Sequence, residues 1–325
     1  MSARWFKIAF LALLAVSASA GAQAQLQDYP ARPVRIIADS APGSAVDVVL
    51  RIIAERLSQI WGQPVLAVNH PGGGGGIAAR AAAAAAPDGY TLFNPALSAF
   101  VALPGTAANL PLEVPRDFAP IGYMGGSPMF ISAAPALGAT NLAELIALAK
   151  KRPGEIAYGT NGPGRLTHLT GELLQARTGI KLLMVPYSGG TAQVLNDVMG
   201  GRIALVMDAY SGVAGAIQAG TVKPLAVASN QRMPNFPDLP TAAETIPGFA
   251  ASGWQALVAP VGTPESIVHK ISDDLRKALG DPETRKKLAT LGRDAPPMSP
   301  AEATAFIQGE QRMWAPIVQQ IARAP

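Results

Sequence analysis

An α/β fold of two lobes around a ligand cleft is what this sequence predicts, on three observations. Short β-branched runs alternate with helical patterns from residue 34 onward, a second block of similar length repeats the alternation, and a run of helices closes the chain. With 325 residues there is room for about two domains, and 49% hydrophobic against 15% charged residues is the balance of a packed protein, not of a disordered one.

Val34 to Ile37 reads as the first strand. From Val46 to Trp61 the apolar positions Val46, Val49, Leu50, Ile53, Leu57 and Ile60 recur at three- and four-residue steps, which makes one buried helical stripe. Ser44 and Asp47, three apart at its start, have the form of a capping box, so residues 39 to 44 are a loop emptying onto a helix N-terminus. Val65 to Val68 is the next strand, the alanines from Ala81 to Ala86 fall in a helix, and Tyr90 to Phe93 is a strand. In the second block a helix starts at Asn141 and stops at Pro153-Gly154, Ile156 to Tyr158 is a strand, and Gly159 to Gly164 is a glycine-rich loop onto a helix from Leu166 to Arg177. Leu182 to Val185 is a strand, Tyr187 to Gly190 a loop, Thr191 to Met199 a helix, and Ile203 to Met207 a strand ending at Asp208. After the strand Leu225 to Ala228 the chain turns helical, with helices over Pro264 to Leu279, Pro282 to Leu291 and Pro300 to Ala322. The crossings between lobes are expected near Gly122 to Ser127 and near Ser229, giving a first lobe over 25–124, a second over 125–228 and a return over 229–325.

The N-terminus carries Arg4 and Lys7, an apolar run from Ile8 to Val16 and the small residues Ala22-Gln23-Ala24, the layout of a signal peptide over 1–24 cleaved after Ala24. The apolar run is shorter than the ~20 residues that span a bilayer, so a soluble exported protein of the periplasm is expected. The net charge of +4 loses two units with that leader. The remaining basic residues are scattered, Arg285 to Lys287 being the one tight cluster, so no nucleic-acid footprint is present. No Cys occurs, which excludes disulfides, thiolate metal sites and a thiol nucleophile.

Enzyme signatures are missing. There is no Gly-x-Ser-x-Gly elbow, no phosphate loop and no His-Glu-x-x-His, and Gly72 to Gly76 fails the dinucleotide pattern at Ile77. His70, His168 and His269 are dispersed without ligand-spaced partners, so neither a metal nor a cofactor is expected. What the sequence offers instead is two loops that empty onto helix N-termini, Ser40 to Ser44 and Thr160 to Gly164. Helix starts present unpaired N–H groups and the positive end of the dipole, and two of them across a cleft suit a small anion. Either loop is also an ordinary connection, and His168 is placed either to touch a ligand or to brace a neighbouring loop.

The motifs Tyr29-Pro30-x-Arg32-Pro33, Asn69-x-Pro71-Gly72, Pro87-Asp88-Gly89-Tyr90-Thr91-Leu92, Asp117-Phe118-Ala119-Pro120, Val185-Pro186-Tyr187, Pro237-Asp238-x-Pro240-Thr241 and Gly262-Thr263-Pro264 occur in family order. On these the chain resembles the Bug-type periplasmic solute-binding proteins of the tripartite tricarboxylate transporter family, over essentially the whole mature chain. The resemblance implies a two-lobed periplasmic-binding-protein fold, the type II Venus flytrap. It implies hinge closure on a small carboxylate or related solute, delivery to membrane permease subunits, and no catalysis. It maps the ligand loops onto Asp39, Ser40, Ala41, Pro42, Gly43, Ser44 and Asp47, and onto Thr160, Asn161, Gly162, Gly164, Arg165, Thr167 and His168, with Tyr187, Gly189 and Asp208 lining the cleft. Two departures bear on the solute. Ala38 to Ser44 stands where the family has Val-Pro-Phe-Pro-Pro-Gly-Gly, which puts Asp39 at the mouth and Ser40 in place of an aromatic. Arg165 stands where a small hydroxyl residue is usual, and it is placed to grip a carboxylate, to pair with Asp39 across the cleft, or to face solvent. Both departures point away from the usual dicarboxylate, toward a smaller, aromatic or partly cationic solute. An exported hydrolase or transferase using His168 as base, and a partner that presents its solute to a sensor kinase, are the competing readings. A monomer is the simplest state for lobes that must open and dock.

Overall fold

A computed structural model describes residues 29–40, 42–72, 75–101, 111–187 and 190–323. The expected signal peptide, Ala41 and Gly189 lie outside the described residues. Strands β1 (Val34–Ala38), β2 (Val65–Asn69) and β3 (Thr91–Asn94) form a parallel trio, β1 lying between the other two. Helix α1 (Ala45–Trp61) covers one face of it, burying Val49, Leu50, Ile53 and Leu57. The helix stops at Gly62 with φ of 63°, a left-handed position that glycine adopts without steric cost. Helix α2 (Gly76–Ala83) and the short α3 (Leu97–Phe100) follow β2 and β3. The alanine run is only half helical: α2 ends at Ala83 and Ala84 to Ala86 leave it, because Pro87 closes the helical route and forces the residue before it out of the α region.

Strand β4 (Phe118–Ala133) runs through both lobes and was not legible in the sequence, since Pro120, Gly122, Gly125, Gly126 and Pro128 read as breakers. Its first part pairs antiparallel with β9 (Ser252–Pro260), from Phe118↔Pro260 to Pro128↔Ser252, with register shifts beside Gly122 and Gly125. From Met129 onward it pairs instead with β7 (Leu205–Ala209) and β8 (Lys223–Val227). The order across the sheet is β2-β1-β3-β9-β4-β7-β5-β6, with β8 also on β4. β9 is likewise not legible locally, since past Ala228 the sequence turns helical and offers no strand signal before the helix expected at Pro264.

In the second lobe α4 (Leu142–Lys151) leads to β5 (Ala157–Thr160), α5 (Leu166–Thr178), β6 (Leu183–Pro186) and α6 (Thr191–Met199). β5 extends through Gly159 and Thr160, so the glycine-rich loop is shorter than expected and begins at Asn161. Gly159 is glycine because a Cβ there would lie 2.3 Å from Val194 Cγ1 of α6. Helix α7 (Tyr210–Gln218), rich in Gly and Ser and unforeseen, carries the chain from β7 to β8. After the short α8 (Ala242–Thr245) and β9, the closing helices are α9 (Glu265–Gly280), α10 (Pro282–Thr290) and α11 (Pro300–Arg323). Asp281 caps α10 through a hydrogen bond from the Thr284 N–H, with Pro282 at the first helical position, as the Asp-Pro pair implies. One apolar core lies between the first-lobe sheet, α1 and α9, and another between the second-lobe sheet, α6 and α7. A third runs continuously from Phe93 and Phe118 through Trp254 and Trp314 to Tyr158 and Leu169, joining the lobes.

The cleft between two helix starts

Both loops found in the sequence lie at the carboxyl ends of parallel strands, β1 for the first and β5 for the second, where open α/β sheets gather their ligand contacts. The helix starts they feed meet over one face of β9. Gln255 donates from Nε2 to the carbonyl of Val46 in the first turn of α1, at 3.0 Å. A Cβ on Gly253 would come within 3.3 Å of Leu166 Cδ2 in the first turn of α5. Residues 253 and 255 share a face of the strand and are only about 7 Å apart along it, so the first turns of the two helices stand against neighbouring positions of one strand.

The first loop is braced from behind. Ser44 caps α1, its Oγ accepting from the Asp47 N–H at 3.3 Å. The reciprocal half of the expected box is absent: the Asp47 carboxylate turns to the Gly43 N–H at 2.8 Å, since Gly43, with φ of 76°, swings its amide into reach. Asp47 is 1% exposed and also accepts from Arg51 Nε and Asn69 Nδ2, each at 2.8 Å. Burial works to raise its pKa, but the bonds from Arg51, Gly43 and Asn69 outweigh that and hold the carboxyl below its ordinary value. Asn69 Nδ2 also donates to the Ser40 carbonyl at 3.0 Å, so Asp47 and Asn69 together fix the path of the loop.

Asp39 and Ser40 occupy the loop itself. The Asp39 carboxylate accepts from the Ala96 N–H at 3.0 Å and lies against Gly75, where a Cβ would sit 3.1 Å from its Oδ2. Burial pushes its pKa up to about 6, against the opposing pull of the Ala96 N–H and of Arg165 on the other lobe. Asp39 and Arg165 face each other within electrostatic reach without closing into a direct ion pair, and Arg165 is exposed.

The second loop is equally organised. The Asn161 N–H donates to Thr167 Oγ1 at 2.9 Å, and the Gly162 N–H to Thr160 Oγ1 at 3.2 Å, with Gly162 at φ of 108°. Thr160, Thr167 and His168 are buried and hold the loop from beneath. His168 Nδ1 accepts from the Gly164 N–H at 3.1 Å, and its Nε2 lies 3.6 Å from Glu172 Oε1. Both ring nitrogens are therefore engaged, which is the loop-bracing arrangement. Asp208 accepts from Thr191 Oγ1 and, at 2.7 Å, from the Ala209 N–H, while burial raises its pKa against those bonds. Asn161 Nδ2 donates to Thr191 Oγ1 at 3.2 Å, tying Asp208 to the loop, and Tyr187 OH donates to Asp197 of α6 at 2.6 Å. Pro42 is exposed at the loop tip. Three residues on the cleft floor, Ser127, Gly253 and Gln255, escaped the sequence reading because neither crossing strand is legible there. Among the described residues no cluster of three or more metal-ligating side chains is gathered, and no helix is long and apolar enough to cross a membrane.

Residues 49–323 match the model of the tripartite tricarboxylate transporter family receptor. Protein BugT of Bordetella pertussis is 34% identical over 96% of this chain and 96% of its own. Among solved structures, R. palustris Rpa4515 with adipate superposes with a TM-score of 0.78 at 32% identity, covering 92% of this chain and all of that one. MatC from Rhodopseudomonas palustris with bound malate gives a TM-score of 0.74 at 30% identity, over 89% of this chain and 99% of that one. The paired helix starts and these matches agree, and the chain belongs to the tripartite tricarboxylate transporter receptors, which are solute-binding proteins rather than enzymes.

Proposed function

We propose that this protein is exported to the periplasm after cleavage behind Ala24, captures a small organic acid between its lobes by hinge closure, and delivers it as a monomer to the permease subunits of a tripartite tricarboxylate transporter. The observation that carries the reading is the meeting of the α1 and α5 starts over Gly253 and Gln255, which sets two sets of N–H donors against one anion without a lysine cluster. The structural relatives with adipate and with malate support a carboxylate as the solute class. The lobes are assigned to 25–124 and 125–228 with a return over 229–325, and β4 and β9 serve as the hinge. Closure is a population shift, favoured because the solute touches both lobes only in the closed form.

A thermal-shift panel of mono-, di- and tricarboxylates against the purified protein tests this. A ligand at 100 times its dissociation constant stabilises the native state by about 2.7 kcal/mol, and it is recovered chemically unchanged. An acid consumed in the assay, or a complete absence of shifts with every carboxylate, refutes the reading.

A further inference from the structure

Three buried polar side-chain atoms beside the two helix starts, on Ser40, Ser127 and Gln255, have no hydrogen-bond partner among the described residues. Gln255 is fully buried, and its amide is locked: Nε2 donates to Val46 O at 3.0 Å and to Asn94 Oδ1 at 2.9 Å, while Asn94 Nδ2 donates to Ala256 O at 2.9 Å. Turning either amide would set oxygen against oxygen, so Gln255 Oε1 is left as an acceptor without a partner among the described residues. Beside it, Ser127 lies opposite Gly253 in register, and its buried Oγ is also unpartnered, as is that of Ser40 in the first loop. Asp39 completes the group. Ala96 bridges the backbone of Gln255 and gives its N–H to Asp39 Oδ2, and among the described residues no cation pairs directly with the carboxylate.

The two hydroxyls can donate or accept and decide nothing about charge. Gln255 Oε1 and an ionised Asp39 can only accept, and a buried acceptor without a donor is costly. Above them, the helix starts and Arg165 ask for the opposite charge. We propose, building on the receptor reading above, that the solute is a monocarboxylate that also carries an ammonium, with the carboxylate at the α1 and α5 starts and the ammonium on the floor against Asp39 and Gln255 Oε1. A dicarboxylate of the same length sets its second carboxylate against both acceptors. Burial lifts the Asp39 carboxyl to about 6, and an arriving ammonium draws it back to the charged form.

Calorimetric titration of the purified protein at about pH 7.5 with three matched pairs tests the assignment: succinate and β-alanine, glutarate and 4-aminobutyrate, adipate and 5-aminopentanoate. At the best-binding length the ammonium acid is expected to bind at least tenfold more tightly than its diacid. Diacids binding equally well or better at every length overturn the inference and leave the carboxylate receptor standing. No binding by any acid overturns both. Asp39→Asn keeps an oxygen for the Ala96 N–H and is expected to cut the ammonium preference at least tenfold, with the unliganded melting temperature reporting its fold. A preference that survives this substitution refutes the role of Asp39.

Discussion

Asp47→Ala is the perturbation that most directly separates loop architecture from lobe stability. Three bonds end on this buried carboxylate, from Gly43 N–H, Arg51 Nε and Asn69 Nδ2. The Arg51 side chain is 52% exposed and is re-solvated on its loss, so its share lies in the ~0–1 kcal/mol range of surface pairs. The other two are charge-assisted bonds within the protein, and at about 1.5 kcal/mol each they amount to roughly 3 kcal/mol. At roughly 2 °C per kcal/mol for a chain of this size the melting temperature falls by about 6 °C. The stabilisation follows the sign of a depressed carboxyl: it is present above the unfolded-state pKa near 3.8 and is lost as pH falls below it, so wild type and variant converge in acid. Urea denaturation at about pH 7 and about pH 3.5 reads the stability, and titration with the best acid of the panel reads the loop. Because Gly43 and Asn69 lose their anchor together, affinity is expected to drop at least tenfold. A stability loss under about 1 kcal/mol with unchanged affinity would show that the loop holds its shape without Asp47, and the reasoning fails.

Gly159→Ala forces a Cβ to 2.3 Å from Val194 Cγ1 and pushes α6 off β5, at a cost of about 2 kcal/mol, read as a lower urea midpoint at unchanged slope. An unchanged midpoint would mean that α6 moves freely. The raised carboxyl of Asp39 works in the opposite sense from Asp47: its contribution is full below pH 3.8 and is lost as pH rises through about 6. A carboxyl lifted from 3.8 to about 6 is worth at most about 3 kcal/mol, so the unliganded protein is expected to weaken between about pH 4 and about pH 6 and to level off above that. Asp39→Asn flattens that slope, and a wild-type slope that the substitution leaves intact would place the titration elsewhere.

The local pieces of the fold are legible in neighbouring residues alone. Ser44 before an apolar stripe, Asp281-Pro282 before another, and glycines at the ends of helices are signals that act within a few residues, and α1, α5 and α10 appear where they predict. The two loops over helix starts were legible for the same reason, as was the class of function, from motifs spread over the chain. The remainder depends on contacts between residues far apart in the chain. β4 carries Pro120, Gly122, Gly125, Gly126 and Pro128, each a breaker on local grounds, yet pairing with β9 on one stretch and β7 and β8 on the next supplies the hydrogen bonds that hold it extended. Capping pattern alone directed the Asp47 carboxylate at Ser44; the left-handed turn at Gly43 redirected it. Gln255 carries no local signal at all, and its unpaired oxygen exists only because Val46 and Asn94, 209 and 161 residues away, claim its nitrogen. Local steric and capping preferences write themselves into neighbouring letters, whereas the floor of the cleft is assembled from strands whose partners the chain meets only when it folds.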